Sequence, residues 1–329
     1  MRIHRRHVLQ LPLHTFALSA LIRAARAEDF PTRSIRLVIP FPPGGIQDAL
    51  GRPWAEKMRS LLGTVAVENI GGGGGELGAA TVARAKPDGY TVLIANSSIM
   101  VINPLAASRV SYDPIKSFDA VSMLCHVALA VTVNPSLPVR TLAELADYGR
   151  QHPGRLSYGT PGVGSLNQLV GEQFKLLVGA PDIVHVPYRG AGPVITDLLG
   201  GQIPMSVTAV NGQLLEFHRT GRLRILAVTS PQRLSAEPDL PTVADAGMPK
   251  LAAQATTWLF VPKGTPSGAI ARISQATREA LSDPDLQKKY GASGVERSTD
   301  ASPEAAAQQL RDEIAQWGPV VRQIGLRLD

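Results

Sequence analysis

Short aliphatic and β-branched runs alternate along this chain with longer segments of helical periodicity. The first run, 35–41, ends at two prolines and two glycines, and a helix is predicted over 48–62. Strands that alternate with helices of this length are typical of βαβ units, in which helices cover a largely parallel sheet. The pattern therefore predicts an α/β fold. Further strands are predicted at 65–68, 90–95, 128–133 and 156–160, and the alternation continues over 183–187, 193–199, 204–209 and 223–229.

Two of the predicted helices carry recognisable start signals. Helix 141–151 begins at Thr141 with Glu144 three residues later, the pattern of a capping box. The last helix begins at Ser302, with a proline in its first turn. Because proline removes a backbone hydrogen bond, Gly318-Pro319 predicts a kink or a break in this helix. Its apolar positions step by four and three residues, as one buried helix face requires: Leu310, Ile314, Trp317, Val321 and Ile324.

Two glycine-rich connections between a strand and a helix resemble each other. The first, 42–48, follows strand 35–41, and the second, 161–167, follows strand 156–160. Each places backbone N–H groups and the positive end of a helix dipole at the carboxyl end of a strand, where an anion can bind. Open α/β sheets bind ligands at this edge. If the two connections lie in different lobes, two anion sites face each other across a cleft.

The first 27 residues predict a signal peptide that is removed after Ala27, so that the mature chain begins at Glu28. They combine a basic start, a short apolar stretch over 8–22 and an Ala-x-Ala site, and the pair Arg5-Arg6 leaves twin-arginine export open beside the general route. Removal of five arginines leaves 28 basic against 27 acidic residues, a net charge of +1. With this nearly even balance, the mature chain lacks the excess of positive charge that would attract nucleic acid. No later apolar run is long enough to span a membrane, so a soluble periplasmic protein is predicted.

Other residues that could carry chemistry are better explained by structural roles. The glycine run 71–75 lacks the Lys-Ser/Thr pair of a phosphate-binding loop and is interpreted as a mobile connection. Ser165 does not fit a nucleophile elbow and is expected to cap a helix and face the ligand, whereas Asp48 is expected mainly to cap its helix. Cys125 is expected in the core, and Trp258 beside the cleft with ligand stacking as the open alternative. The histidines show no ligand spacing, so no metal, cofactor or catalytic residue is predicted.

Seven segments, in this order and spacing, resemble the Bug (Bordetella uptake gene) family, also called the tripartite tricarboxylate transporter substrate-binding proteins. They are IRLVIPFPPGG (35–45), KPDGYT (86–91), NPSLPV (134–139), VHVPYRG (184–190), DLLGGQ (197–202), LAVTS (226–230) and LPTV (240–243). The resemblance covers the mature chain and implies a type II periplasmic-binding-protein fold, in which crossing strands join two α/β lobes that close over a ligand. Lobe 1 would comprise 28–127 plus 249–329, and lobe 2 would comprise 128–248.

The resemblance implies that carboxylates bind mainly to backbone N–H groups and ordered waters in the two glycine-rich loops. The chain departs from the family at Ile46-Gln47, where glycine and then Thr or Ser are usual, and at Pro53 inside the first helix. It also departs at Asn167-Gln168, where Ser-His is frequent, and at Thr208, where Asp is frequent. The candidate ligand-binding residues are Phe41, Gly45, Ile46, Gln47, Asp48, Ser97, Ser98, Thr160, Gly162, Gly164, Ser165, Asn167, Tyr188 and Thr208.

The predicted function is that of a monomeric binding protein, not an enzyme, that delivers a small organic carboxylate to the membrane subunits of a transporter. An extracytoplasmic sensor that feeds a signalling system stays open as the alternative. A periplasmic hydrolase would need a nucleophile and a base at recognisable spacing, and none is found. No free acid near the loops could pair the ammonium group of an amino acid. The ligand is therefore expected to be a carboxylate without an amino group, such as a dicarboxylate or an aromatic acid.

Overall fold

The computed structural model describes residues 30–292 and 295–328, so the predicted signal peptide and the predicted start at Glu28 lie outside the described residues. None of the helices in this part of the chain is long and apolar enough to cross a membrane. The strands are β1 (Ile35–Ile39), β2 (Val65–Asn69), β3 (Thr91–Asn96), β4 (Phe118–Val133), β5 (Ser157–Thr160), β6 (Val184–Pro187), β7 (Met205–Ala209), β8 (Arg224–Val228), β9 (Gln254–Pro262) and β10 (Glu296–Arg297). The helices are α1 (Ile46–Leu61), α2 (Glu76–Ala83), α3 (Asn103–Ala106), α4 (Leu142–Gln151), α5 (Leu166–Val178), α6 (Ala191–Leu199), α7 (Gly212–Arg219), α8 (Ser267–Leu281), α9 (Pro284–Ala292) and α10 (Pro303–Ile324).

Two sheets share the long strand β4. In the first sheet the order is β2-β1-β3-β9-β4, with β1 parallel to β2 and β3, and β9 antiparallel to β3 and β4. In the second sheet β5 is parallel to β6 and β7, and the second half of β4 lies antiparallel between β7 and β8. The partner of β4 changes near Ala128, which is opposite Gln254 of β9, while Leu129 is opposite Ala209 of β7. β4 is therefore a crossing strand between the two sheets.

Helices cover both faces of each sheet, as expected for this α/β class. One buried cluster extends between the sheets and includes Trp258 of β9, Phe174 of α5 and Trp317 of α10. A second cluster packs α1 and α8 on the first sheet, and a third packs α6 and α7 on the second sheet. The predicted apolar face of the last helix is confirmed: its five positions are all buried or partly buried in the first cluster.

The prediction for β4 is wrong at its first half. The strand begins at Phe118, ten residues before the predicted 128–133. The register against β9 shifts twice, between Ala120 and Ser122 and between Met123 and Cys125, which disrupts the simple alternation of inward and outward positions. Because helices also cover both faces, this part of the strand lacks the polar face that would reveal it in the sequence.

Two further expectations are wrong. The glycine run is a packed turn and not a mobile connection: Gly72 to Gly75 have positive φ angles, and a Cβ added to Gly75 would lie 2.6 Å from Ile99 Cδ1. The predicted break in α10 is absent, since the helix continues through Gly318-Pro319, where the buried side chains of Trp317 and Val321 pack on both sides of the proline and offset its missing hydrogen bond; the alternative of a kink stays a prediction. The Thr141 cap of α4 and the Ser302 cap of α10 are confirmed, but the Glu144 side chain accepts from Arg140 N–H and not from the Thr141 N–H of a capping box.

The lobe boundaries at 127/128 and 248/249 stay a prediction. The pairing of β4 supports them, since its partners change from β9 to β7 and β8 at this point. Where the chain passes back from the second sheet to the first, Ala253 N–H donates to the Thr229 carbonyl at 2.9 Å, immediately before β9 begins. Both crossings therefore lie close to the predicted boundaries.

The packing of α5 on β5 gives a test of the second sheet. A Cβ on Gly171 of α5 would lie 2.1 Å from Tyr158 Cε2 of β5, so Gly171→Ala must displace the ring. We expect a loss of about 1–3 kcal/mol in the free energy of unfolding, measured with denaturant. Gly192→Ala on α6, where nothing lies within 4 Å, is the matched control and should be neutral or stabilise by up to about 1 kcal/mol. Equal effects of the two variants would contradict this packing.

Candidate functional site

The first glycine-rich loop, between β1 and α1, is held by the side chain of Asp48. Asp48 Oδ2 accepts hydrogen bonds from Gly44 N–H at 3.1 Å and from Arg52 Nε at 2.9 Å, and Oδ1 accepts from Asn69 Nδ2 at 3.0 Å. Asn69 Nδ2 also donates to the Phe41 carbonyl at 2.9 Å. The hydrogen bond from Arg52, followed by those from Asn69 and Gly44, lowers the pKa of Asp48 despite its burial. Both carboxylate oxygens are thus occupied in shaping the loop.

The start of α1 keeps backbone donors for an anion. No side chain caps this helix, whose N-cap residue is Gly45, and an uncapped start leaves its first N–H groups unpaired at the positive end of the dipole. Ile46 is 38% exposed, whereas Gln47 is buried and donates from Nε2 to Thr257 Oγ1 at 3.2 Å. Gln47 Oε1 has no protein partner. A buried polar atom of this kind can still pair with a ligand or a water.

The second glycine-rich loop, between β5 and α5, is closed by its own side chains. Ser165 Oγ accepts from Gln168 N–H at 3.2 Å, which confirms the predicted cap, and donates to the Gly162 carbonyl at 2.7 Å. Gln168 Oε1 accepts from Gly164 N–H at 2.9 Å. Gly164 has a φ of +73°, a conformation that favours glycine. The hydroxyl proton of Ser165 is therefore used within the loop.

Three hydrogen bonds from the segment 184–190 hold this loop from the neighbouring strand. His185 Nε2 lies 2.7 Å from Thr160 Oγ1, and Tyr188 N–H donates to the Thr160 carbonyl at 2.9 Å. Gly190 N–H donates to the Pro161 carbonyl at 2.9 Å. The family-like segment VHVPYRG is thus a support for the second loop.

Two more candidate side chains are engaged with protein neighbours. Tyr188 donates from its hydroxyl to Asp197 Oδ2 on α6 at 2.8 Å, and burial together with this hydrogen bond raises the pKa of Tyr188 to about 12. Asn167 Nδ2 donates to the Val207 carbonyl of β7 at 3.2 Å, which leaves the amide oxygen of Asn167 for other partners. Both side chains hold α5 and α6 in place around the loop.

Asn103 lies between the loops of the two sheets. Its Nδ2 donates to the Gly74 carbonyl at 3.3 Å, and its Oδ1 lies 3.4 Å from the position that a Cβ on Gly164 would take. The neighbouring Gly75 approaches the first loop, since a Cβ there would lie 3.4 Å from Phe41 Cζ. Gly74, Gly75 and Asn103 therefore link the two glycine-rich loops, although β1 and β5 belong to different sheets.

A third edge of this region follows β3. Ser97 is fully buried, and its Oγ accepts from Thr256 N–H at 2.9 Å. The Thr256 hydroxyl and Gln309 Nε2 both donate to Oε1 of Glu313 on α10, whereas Glu313 Oε2 has no partner. Burial raises the pKa of Glu313 despite these donors. Ser97 thus links the strand end to α10, while Ser98 is partly exposed.

Thr208 near the end of β7 keeps an unpaired hydroxyl. It is 1% exposed, lies opposite Ala130 of β4, and its Oγ1 has no protein partner. Thr132 and Ser206, which lie opposite each other further along the same two strands, also have unpaired and buried hydroxyls. Thr208 can therefore donate to or accept from a ligand or a water at the strand end.

The structure brings the predicted residues of both loops together, but it turns several of them inward. Asp48, Ser165 and Tyr188 hold the loops through protein hydrogen bonds, whereas Gln47 and Thr208 keep unpaired atoms. Sequence reasoning did not single out the side chains that position the loops, because only tertiary contacts reveal them: Asn69, Asn103, His185 and Thr257. Of these four residues, only His185 could have been noticed in the sequence, because it lies in the family-like segment VHVPYRG.

Two sheets joined by crossing strands, each with a glycine-rich loop at a shared region, define a two-lobed solute-binding protein. Known structures agree with this class. A Rhodopseudomonas palustris protein with adipate has a TM-score of 0.80 at 31% identity, over 91% of this chain and 99% of that protein. MatC from the same species, with bound malate, has a TM-score of 0.78 at 29% identity, over 89% of this chain and all of that protein (100%).

The family follows from the sequence comparisons. Residues 50–326 match the tripartite tricarboxylate transporter family receptor. Protein BugT of Bordetella pertussis is 32% identical over 314 residues, which is 95% of each chain. The chain belongs to this family, the Bug or tripartite tricarboxylate transporter receptors, and has the fold of periplasmic solute-binding proteins. The match is to a binding-protein family and to no catalytic one.

The role of Asp48 in the first loop can be tested by its pH dependence. Because its pKa is lower in the folded chain than in the unfolded chain, Asp48 stabilises the fold above the unfolded pKa, and this is lost as the pH falls through the folded value. We expect Asp48→Asn to cost about 1–2 kcal/mol at neutral pH and progressively less below about pH 4, measured by denaturant unfolding. Asp147→Asn, which breaks the exposed pair with Arg150, should cost about 0.5 kcal/mol or less. A constant difference at all pH values would argue against the loop role.

Proposed function

We propose that this protein is exported to the periplasm, captures a small organic carboxylate between its lobes, and delivers it to the membrane subunits of a tripartite tricarboxylate-type transporter. The observation that carries the proposal is the meeting of two glycine-rich loops from different sheets, with an uncapped helix start at the first. The predicted signal peptide and Ala-x-Ala site support export. Relatives that hold malate and adipate support a di- or tricarboxylate or an aromatic acid.

Backbone donors suit this ligand class. An anion at the start of α1 is stabilised by its unpaired N–H groups and by the helix dipole, without a charged side chain. Arg52, the cation beside the first loop, is already paired with Asp48 at 2.9 Å. The site therefore recognises carboxylate oxygens by the geometry of its backbone more than by net charge.

The side chains favour a ligand without an ammonium group. Both oxygens of Asp48 already accept from protein donors, Oδ2 from Gly44 and Arg52 and Oδ1 from Asn69, and Arg52 pairs its charge. Gln47 Oε1 and Thr208 Oγ1 are neutral, and they can bond a hydroxyl or a water but cannot offset a buried positive charge. We infer that non-amino carboxylates bind more tightly than aspartate or glutamate.

A thermal-shift panel followed by calorimetry tests the proposal. A ligand that binds only the folded state stabilises it by about 2.7 kcal/mol at a hundred times its Kd, and each kcal/mol raises Tm by about 2–4 °C at this size. At least one di-, tri- or aromatic carboxylate should therefore shift Tm by more than about 5 °C, and 2-oxoglutarate should bind more tightly than glutamate. Sugars that shift Tm while every carboxylate fails would refute the proposal. Tighter binding of glutamate would refute the ligand class and would point to Glu313 Oε2 as the partner of the ammonium group.

Thr208 gives a variant test of the same site. Thr208→Asp places a carboxylate at the end of β7, and like-charge repulsion should weaken binding of the best carboxylate from the panel by at least about tenfold in calorimetry. Thr208→Asn has nearly the same shape without the charge and is the matched control. Thr208→Val, which removes the unpaired hydroxyl, should change the free energy of unfolding little. Equal binding by the Asp and Asn variants would place Thr208 outside the ligand site.

A further inference from the structure

His185 is connected to the backbone of the second loop through a single side chain. It lies on β6 opposite Tyr158 of β5, is half-buried, and its Nε2 is 2.7 Å from Thr160 Oγ1. Thr160 ends β5, is fully buried, and its Oγ1 also lies 3.2 Å from the Gly162 carbonyl. The imidazole and a carbonyl of the second loop thus both lie within hydrogen-bond distance of the same hydroxyl.

The Thr160 hydroxyl has one proton, and Nε2 of the neutral imidazole either donates to this hydroxyl or accepts from it, according to the tautomer. When the imidazole is neutral and Nε2 carries no proton, the shorter contact of 2.7 Å takes the hydroxyl proton, and the Gly162 carbonyl does without it. When His185 is protonated, Nε2 becomes a donor, so that Thr160 Oγ1 must accept from it and turn its own proton to Gly162. Proton uptake by His185 therefore places a positive charge behind the loop, and in the tautomer with an unprotonated Nε2 it also adds a hydrogen bond to the Gly162 carbonyl.

The charged and titratable groups that face His185 lie on β5 and α5. Glu172 and Lys175 of α5 form an ion pair at 2.8 Å, and the Tyr158 hydroxyl donates to Glu172 Oε1 at 2.6 Å. The Tyr158 ring packs on His185 with centroids 4.9 Å apart. Burial lowers the pKa of His185, Glu172 raises it and Lys175 lowers it again. Burial is the largest of these effects, so the protein disfavours the charged form of the imidazole.

We propose that His185 is a positioning residue for the ligand, which sets the second glycine-rich loop through Thr160 and takes up a proton when an anion binds there. The proposal rests on the proposed function, because it requires the loop to bind a carboxylate. Linkage makes the two events reciprocal: an anion that raises the pKa of His185 binds more tightly as the pH falls through the interval between the free and bound values. A shift of one pKa unit corresponds to about tenfold in affinity.

The test compares three variants with adipate as the probe, by calorimetry at about pH 6 and about pH 8. The wild-type protein should bind adipate about three- to tenfold more tightly at the lower pH. His185→Gln keeps a polar atom near Nε2 but cannot titrate, so it should bind within about threefold of wild type at the higher pH and lose the pH dependence. His185→Ala should bind more weakly at both values. His152→Gln, on α4 where the ring stacks on Tyr148, is the control and should behave as wild type.

A ligand-free measurement separates this inference from the proposed function. Amide exchange of residues 162–165, corrected for its intrinsic pH dependence, should show more protection at about pH 6 than at about pH 8 in wild type, and no such difference in His185→Gln. Equal pH dependence of loop protection in the two proteins overturns the inference without any ligand. Adipate binding with the same pH dependence in both also overturns it. If wild type binds no acid of the panel, the proposed function fails, while the exchange data still decide whether His185 positions the loop.

Discussion

The hydrogen bonding of one strand, β4, determines how the rest of the molecule is arranged. Buried backbone N–H and C=O groups must be paired, and the 16 residues of β4 pair first with β9 and then with β7 and β8. The return connection is held in the same way, by the hydrogen bond from Ala253 to Thr229 just before β9. Since the first loop follows β1 and the second follows β5, in different sheets, the loops meet only because these crossings bring the sheets together. The candidate site is a property of the crossing and of neither sheet alone.

Polar side chains are buried beside the crossing. Thr256 of β9 connects Ser97, after β3, with Glu313 of α10, and His126 Nδ1 of β4 lies 3.1 Å from Thr256 Oγ1. Burial lowers the pKa of His126 and raises that of Glu313, so it disfavours the charged form of each group. A buried polar network adds little net stability, but it is costly to break, because each lost partner leaves a buried group unpaired. Such a network specifies how β3, β4, β9 and α10 meet.

The parts of the structure that the sequence predicted are those that depend on neighbours a few residues away. The caps of α4 and α5 are bonds between a side chain and a backbone group three residues later, so Thr141 and Ser165 were recognisable from the sequence. The first half of β4 was not, since bulges and burial on both faces removed its alternation. The contact of Asn103 with Gly74 and Gly164 joins segments that are distant in the chain, and no local pattern encodes it.

The contrast between loop-holding side chains and side chains with unpaired atoms bears on what the family resemblance can predict about the ligand. Asp48 and Ser165 use their polar atoms to hold the loops, so in the proposed function the anion is left to backbone donors, which bind any carboxylate of suitable shape. Loops that are fixed in this way would lose little conformational freedom when the proposed ligand binds, and this rigidity would contribute to affinity for the whole class. In the same proposal, discrimination between acids falls to side chains with spare capacity, Ile46 as an apolar wall and the unpaired atoms of Gln47 and Thr208. The sequence resemblance differs from the usual pattern at these three positions, so we expect it to predict the carboxylate group of the ligand better than the rest of the molecule.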